Sequence, residues 1–116
     1  MPKYRTMQDA VKEFQTAFNR PTDLNFSDIG NSISVTDTFD LRRSLIEEEF
    51  YELIYAIDAR DENNIKKESA DLLYVLAGLF VDFGWDMQVI FNRVHSSNMS
   101  KLDKDGKPVY RKDGKV

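Results

Sequence analysis

Two pairs of acidic residues lie on the apolar faces of two predicted helices. Glu49 and Glu52 fall within or at the edge of the first apolar stripe, and Glu68 and Asp71 fall within the second. An i,i+3 spacing places both carboxylates of a pair on the same side of a helix. Two carboxylates about 5 Å apart repel each other by roughly 3 kcal/mol at an effective dielectric constant of 20. A hard divalent cation removes that repulsion, and carboxylate oxygen is the ligand that magnesium and manganese prefer. The two pairs therefore predict a metal site between two helices.

The alternative is that these acids reach solvent or pair with basic neighbours such as Arg42, Arg43, Lys66 or Lys67. For a single glutamate on a helix this is the more common arrangement. Here two acidic pairs share one interface. Amphipathic helices rarely carry carboxylates on the stripe that faces the core, so this arrangement favours a bound cation.

The composition is that of one soluble globular domain spanning residues 1–116. The chain is 31% charged and 41% hydrophobic, which is ordinary for such proteins. It has no cysteine and one histidine, which excludes disulfides and argues against a histidine-rich zinc site. No apolar run follows residues 1–5, and the longest run, 72–81, is too short for a membrane span. We expect a cytoplasmic protein that does not enter a membrane.

Charge is distributed unevenly along the chain. Residues 101–116, the C-terminal tail, hold six basic and three acidic residues, which leaves ten basic and seventeen acidic residues in 1–100. A nucleic-acid-binding domain would present a basic face on its folded body, so we expect no nucleic-acid partner. The pattern fits a cation bound by the body and an anion bound by the tail.

Four helices would position these groups. The periodicity predicts helices at about 6–19, from Asp37 or Thr38 to Arg60, at about 64–83, and from Asp86 onward, with a loop at 22–36. Gly84 is expected to end the third helix. The tail has Asp-Gly turns and no helical period, which indicates a hairpin or an arm.

The connection between the second and third helices is short and polar, so these helices should be antiparallel neighbours. Between residues 72 and 81 the third helix is apolar nearly all the way round. Such a helix must be covered on every side. The other three helices are too few to do so, and we expect a homo-oligomer, either a dimer or a dimer of dimers.

The acidic residues also carry a resemblance to a known family. Glu48-Glu49-x-x-Glu52, a spacer of fifteen residues, and Glu68-x-x-Asp71 followed by Leu-Leu-Tyr resemble the signature of the all-α nucleoside triphosphate pyrophosphohydrolases. That superfamily includes MazG-like proteins, dimeric dUTPases and phosphoribosyl-ATP pyrophosphohydrolases. Ser97-Asn-Met-Ser-Lys101 and the Asp-Gly-Lys tail extend the similarity over residues 38–116. The resemblance implies an all-α, four-helix MazG-like bundle with a non-helical C-terminal tail, completed by homo-oligomerisation.

The resemblance also implies an activity and assigns roles. Glu49, Glu52, Glu68 and Asp71 would bind Mg²⁺, or Mn²⁺, that holds the phosphates of a nucleotide. Glu48 would be an outer ligand or the general base that orients the attacking water. The products would be a nucleoside monophosphate and pyrophosphate, as expected of an enzyme that maintains nucleotide pools.

Further candidates for substrate contacts lie near the C-terminus. Asn98 can donate and accept hydrogen bonds at once, which suits a base edge or a sugar hydroxyl, and its alternative role is a helix C-cap. Lys101 and Arg111 would contact phosphates, or remain solvated tail charges. Tyr110 would stack on a base, or hold the tail in place.

Two other candidates on the third helix and after it have different expected roles. Asp82 lies about 16 Å along the helix from Asp71, too far to share its ion. Trp85 is expected to be an anchor in the core or at an interface.

Two other classes of protein also place acids inside helical bundles. A carboxylate-bridged di-iron protein calls for Glu-x-x-His motifs, whereas the only histidine here, His95, is on another helix. A non-catalytic nucleotide-binding or dimerisation module derived from the same fold remains the second hypothesis.

Overall fold

A computed structural model describes residues 6–116 of the chain. The four α-helices are α1 (Met7–Ala17), α2 (Ile33–Asp58), α3 (Glu62–Phe83) and α4 (Met87–Met99), with one short 3₁₀ helix at Phe26–Asp28. The described residues contain no strand, so the predicted all-α, four-helix fold is confirmed. The chain divides into two compact units, Met1–Trp85 with α1 to α3, and Asp86–Val116 with α4 and the tail. The prediction that residues 1–5 carry no targeting signal lies outside the described residues.

Helix α2 begins about one turn earlier than the sequence suggested. Ser32 is its N-cap, and the Ser32 side chain accepts a hydrogen bond from the backbone N–H of Val35. The predicted start at Asp37 or Thr38 was wrong because residues 30–36 have the polar, β-branched composition of a loop. Burial of Val35, which is 3% exposed, favours the extra turn.

Helices α2 and α3 pack along each other as antiparallel neighbours. Arg42 near the start of α2 contacts Asp82 near the end of α3, while Glu49 farther along α2 lies beside Glu68 and Asp71. The connection covers only residues 59–61 and ends with the cap of α3, where the Asp61 side chain accepts from the N–H of Asn64. This antiparallel pair carries both acidic pairs.

The core of the first unit is small and is closed at one end by aromatic rings. Its buried apolar side chains are Val11, Val35, Ala56, Ala77, Val81 and Phe83. Trp85 stacks on Phe83 with ring centroids 5.1 Å apart and also packs against Phe26. Gly84 ends α3 with a positive φ of 66°, as predicted, and this turn directs Trp85 back onto the core.

A buried ionic network joins α1, α2 and α3. The Asp82 carboxylate is 0% exposed and accepts from Arg42 Nε at 2.7 Å and from Arg42 Nη2 at 3.0 Å. Gln15 Nε2 donates to Asp82 Oδ1 at 2.8 Å, and Gln15 Oε1 accepts from Arg42 Nη2 at 3.1 Å. A Cβ atom at Gly78 would overlap the Arg42 guanidinium, so the glycine lets the arginine cross α3. The bidentate geometry fixes the register of α2 against α3.

The second unit consists of α4 and the C-terminal tail. Asp86 caps α4, as predicted, by accepting a hydrogen bond from the N–H of Val89. The tail contains two turns with the same hydrogen-bond pattern eight residues apart. Asp103 N–H donates to Lys107 O, and Arg111 N–H donates to Lys115 O. Residues 101–116 thus contain two successive tight turns and no strand, and their prediction as a hairpin or an arm stays a prediction.

No single helix among residues 6–116 is long and apolar enough to cross a membrane; only α3 and α4 taken together satisfy the length and composition criteria.

Candidate metal centre

Three carboxylates from α2 and α3 converge in the first unit. One oxygen from each of Glu49, Glu68 and Asp71 lies within 4.8 Å of the others, and all three residues are half-buried. We call these three residues the acidic cluster. The i,i+3 spacing of Glu68 and Asp71 puts both on the side of α3 that faces α2. The antiparallel packing then brings Glu49 opposite them.

Two oxygens of the acidic cluster are buried and lack a hydrogen-bond partner among residues 6–116: Glu49 Oε2 and Glu68 Oε2. Buried carboxylate oxygens without partners are unfavourable, and proteins rarely leave them so. The donor set is oxygen only, which suits a hard divalent cation such as Mg²⁺ or Mn²⁺. The residues present therefore fit the kind of ion that the acidic spacing predicted.

The electrostatics of Glu49 agree with this interpretation. The pKa of Glu49 is raised from 4.5 to about 7 by several causes acting together. Burial contributes most, followed by the negative charges of Glu52 and Asp71, a hydrogen bond with Glu52 and the negative charge of Glu68. The shift means that the protein, without a cation, disfavours ionisation at this position. A divalent cation would reverse that preference. Glu52, the fourth predicted ligand, lies one turn beyond Glu49, is exposed and is not among the converging carboxylates of the acidic cluster.

One basic residue contacts the acidic cluster. Lys67 Nζ donates to Asp71 Oδ2 at 2.8 Å and lies 3.4 Å from Glu68 Oε1. The hydrogen bond with Asp71, followed by that with Glu68, raises the pKa of Lys67 to about 12. Pairing of the acids with a basic neighbour, the alternative to a metal ion, therefore occurs for the two acids on α3. No ion pair involves Glu49 in the described part of the chain.

The other basic residues that could have paired with these acids do not contact the acidic cluster. Arg42 forms an ion pair with Asp82, and Lys66 Nζ lies 3.8 Å from an oxygen of Glu62, six residues before Glu68. Arg43 is exposed. One ammonium group thus faces a cluster of three carboxylates with a fourth beside it.

Glu48 is exposed on α2 and is not part of the acidic cluster. Its side chain leaves the helix about 100° from that of Glu49. This position is compatible with a group that acts on a water beside the metal site.

A cleft of about 520 Å³ opens between α1, α2 and α3. It lies next to the acidic cluster, because Leu45 is one turn before Glu49 and Val75 is one turn after Asp71. We call it the aromatic cleft; its lining residues are Val11, Phe14, Gln15, Phe18, Arg20, Thr38, Leu41, Arg42, Leu45, Tyr74 and Val75. The Phe14 ring meets the Tyr74 ring edge-on at 5.7 Å and contacts the Phe18 ring at 4.5 Å.

The aromatic cleft and the buried network were not visible in the sequence. Phe14 and Phe18 are four residues apart, so their rings lie on the same side of α1, but Tyr74, which contacts Phe14 across the cleft, lies sixty residues farther along the chain. The usable signal was the aromatic i,i+4 pair, 43% and 65% exposed, on a helix that otherwise has few large apolar residues.

The remaining candidates, Asn98, Lys101, Tyr110 and Arg111, lie in the second unit. All four are exposed, and Arg111 Nη2 pairs with Asp113 Oδ2 at 3.0 Å. The helix C-cap of α4 is Ser100, so the alternative role of Asn98 as that cap is wrong. Their roles in substrate binding remain predictions.

Comparison with known proteins gives one family. A model of the phosphoribosyl-ATP pyrophosphohydrolase family matches residues 5–98, which cover α1 to α3 and nearly all of α4. No curated protein matches the chain.

Proposed function

Because the chain belongs to the phosphoribosyl-ATP pyrophosphohydrolase family, part of the MazG-like all-α superfamily, we propose that it is a metal-dependent pyrophosphohydrolase of nucleotides. The family itself indicates hydrolysis of a phosphorus anhydride in a nucleotide. The finer proposal is that a (deoxy)nucleoside triphosphate or related nucleotide is cleaved to the monophosphate and pyrophosphate, in cytoplasmic nucleotide-pool housekeeping. The observation that supports it best is the acidic cluster with its two unpartnered buried oxygens.

The chain would use its own residues as follows. Glu49, Glu52, Glu68 and Asp71 would hold the cation and so position the phosphates beside α2 and α3. Bound Mg²⁺ supplies charge neutralisation for the phosphate oxygens and lowers the pKa of a bound water. Glu48 would orient the attacking water and accept its proton as the water oxygen bonds to the α-phosphorus. The bond from that phosphorus to the bridging oxygen breaks, and pyrophosphate leaves with the electron pair.

The aromatic cleft supports a nucleotide as substrate. It begins one helical turn, about 5 Å, from the acidic cluster. The distance between an α-phosphate and its nucleoside is of the same order. Phe14 and Tyr74 offer ring faces or edges for a base, and aromatic contacts with bases are typically worth about 1–3 kcal/mol each. We further assign Asn98 to a base edge or sugar hydroxyl, Lys101 and Arg111 to phosphates, and Tyr110 to a base.

We also propose that the protein works as a homo-oligomer, a dimer or a dimer of dimers. Large apolar side chains are exposed on α2 and α3; they are Phe50, Tyr51, Ile54, Tyr55, Ile57, Leu73 and Tyr74, each between 36% and 68% exposed. This many exposed large apolar side chains on a small domain supports burial of part of them by a partner; Tyr74 also lines the aromatic cleft. Sedimentation at micromolar concentration should show no stable monomer. A well-folded monomer at that concentration would contradict the proposal.

A substrate panel tests the activity. We expect pyrophosphate release from one or a few nucleotides with Mg²⁺ or Mn²⁺, and none in EDTA. The panel should contain phosphoribosyl-ATP and the canonical and modified (deoxy)nucleoside triphosphates. Release that persists in EDTA would contradict metal dependence. Silence across the panel, together with Mg²⁺ binding by calorimetry, would favour the non-catalytic nucleotide-binding module instead.

A further inference from the structure

Lys67 is the basic residue in contact with the acidic cluster. Its ammonium group donates to Asp71 Oδ2 at 2.8 Å, and its second contact, with Glu68 Oε1, is longer at 3.4 Å. Asp71 Oδ2 is thus engaged by a cation that belongs to the chain itself. The unpartnered oxygens, Glu49 Oε2 and Glu68 Oε2, lie on the other members of the cluster.

The position of Lys67 makes the contact easy to exchange. Its side chain is 65% exposed, so the ammonium group can move into water without leaving a buried charge behind. One positive charge also balances only part of the cluster, because Glu49, Glu68 and Asp71 face one another and Glu52 touches Glu49. The Lys67 contact therefore reduces the repulsion between the two carboxylates of α3 but does not neutralise the negative charge of the cluster.

From this arrangement we infer that Lys67 is a built-in counter-ion that competes with the divalent cation for Asp71. In the metal-free protein the ammonium group relieves part of the carboxylate repulsion. A metal ion that uses Asp71 Oδ2 must first displace it. Lys67 therefore weakens cation binding while it stabilises the empty centre, an inference that rests on the proposed metal-dependent function.

The adjacent lysine provides a matched control. Lys66 has the same charge, lies on the same turn of α3 and is also in an i,i+4 arrangement, but its partner is Glu62 at 3.8 Å, outside the acidic cluster. A loss of charge at residue 66 changes the general field near α3 by a similar amount. It leaves the direct contact with Asp71 in place.

The experiment is calorimetric titration of Mg²⁺ and Mn²⁺ into the protein without nucleotide, for wild type, Lys67→Met and Lys66→Met. We expect Lys67→Met to bind both cations roughly five- to tenfold more tightly, as removal of one nearby positive charge and one competing hydrogen bond predicts. Lys66→Met should stay within about twofold of wild type. In EDTA, Lys67→Met should melt at a lower temperature than wild type, and saturating Mg²⁺ should abolish that difference.

The outcomes separate this inference from the proposed function. If the wild-type protein binds the cation and Lys67→Met binds it with equal or lower affinity, the inferred competition is overturned and the proposed metal centre is unaffected. Equal tightening in both lysine variants would reduce the effect to general surface charge and also overturn it. If wild-type protein binds neither cation, the proposed metal centre fails, and the competition fails with it.

Discussion

Replacing Glu49 with glutamine should abolish cation-dependent pyrophosphate release and, in the same protein, raise the melting temperature of the metal-free form near neutral pH. The loss of activity should be at least about a hundredfold, because in the proposed function Glu49 is a direct ligand of the cation, and even residues that only support a ligand typically contribute about 10- to 100-fold. The gain in stability has the same origin. Glu49 is half-buried, with its Oε2 atom shielded from water, and the surrounding acids oppose its ionisation, whereas the glutamine amide carries no charge.

The pH dependence of this gain follows from the raised pKa of Glu49. The folded protein holds the Glu49 proton more tightly than the unfolded chain, with a pKa of about 7 against 4.5. Ionisation of Glu49 therefore destabilises the metal-free fold fully above about pH 7 and not at all below about pH 4.5. The stability advantage of Glu49→Gln in EDTA should be largest near pH 8, shrink as the pH falls through 7, and vanish near pH 4.5.

Thermal unfolding in EDTA across this pH range, together with activity in Mg²⁺, measures both effects. Glu47→Gln is the matched control, because Glu47 lies two residues earlier on α2, is exposed and is outside the acidic cluster. The control should keep its activity and lack the stability advantage over wild type that is expected of Glu49→Gln. Retained activity in Glu49→Gln would remove Glu49 from the metal site, and an unchanged melting temperature would mean that its carboxylate is not under electrostatic strain.

Replacing Arg42 with methionine should lower the free energy of unfolding by about 3–5 kcal/mol. The substitution leaves the Asp82 carboxylate, which is 0% exposed, without its two guanidinium hydrogen bonds. It also removes the donor to Gln15 Oε1. For a domain whose total stability is typically about 5–15 kcal/mol, this loss is a large fraction of the total.

Chemical denaturation of three variants tests this expectation. Arg43→Met, at the exposed neighbouring position, should change stability by less than about 0.5 kcal/mol. The double variant Arg42→Met with Asp82→Leu should recover much of the loss, because no unpaired charge then remains buried. A loss below about 1 kcal/mol for Arg42→Met alone would show that Asp82 is satisfied by other means, such as Gln15 Nε2.

The sequence revealed those parts of the fold that depend on local signals. Gly84 and Asp86 marked the break between α3 and α4 because a left-handed residue and a cap are local requirements. The start of α2 was missed because Ser32 caps a turn whose composition resembles a loop, and burial of Val35 decides the outcome. Tertiary packing overrode the local preference at that one position.

The candidate site was only partly visible for a related reason. The pairing of Glu49 with Glu68 and Asp71 follows from helical spacing and one short connection, so counting residues was sufficient. The role of Arg42 was not visible, since it depends on a glycine at position 78 and an acid forty residues away. Spacing within a helix could exclude Asp82 from the predicted metal site, but it could not identify Arg42 as the basic residue that pairs with Asp82.

The short connection at residues 59–61 has a consequence for how the chain folds. Loop closure favours contacts that are close in sequence, so α2 and α3 form the most local tertiary pairing of the first unit. That pairing is also the step at which Glu49 meets Glu68 and Asp71. We therefore expect the like charges to meet early in folding. A divalent cation in the proposed metal centre would then lower the folding barrier as well as stabilise the folded protein, so the same ion would assist folding before it assists hydrolysis.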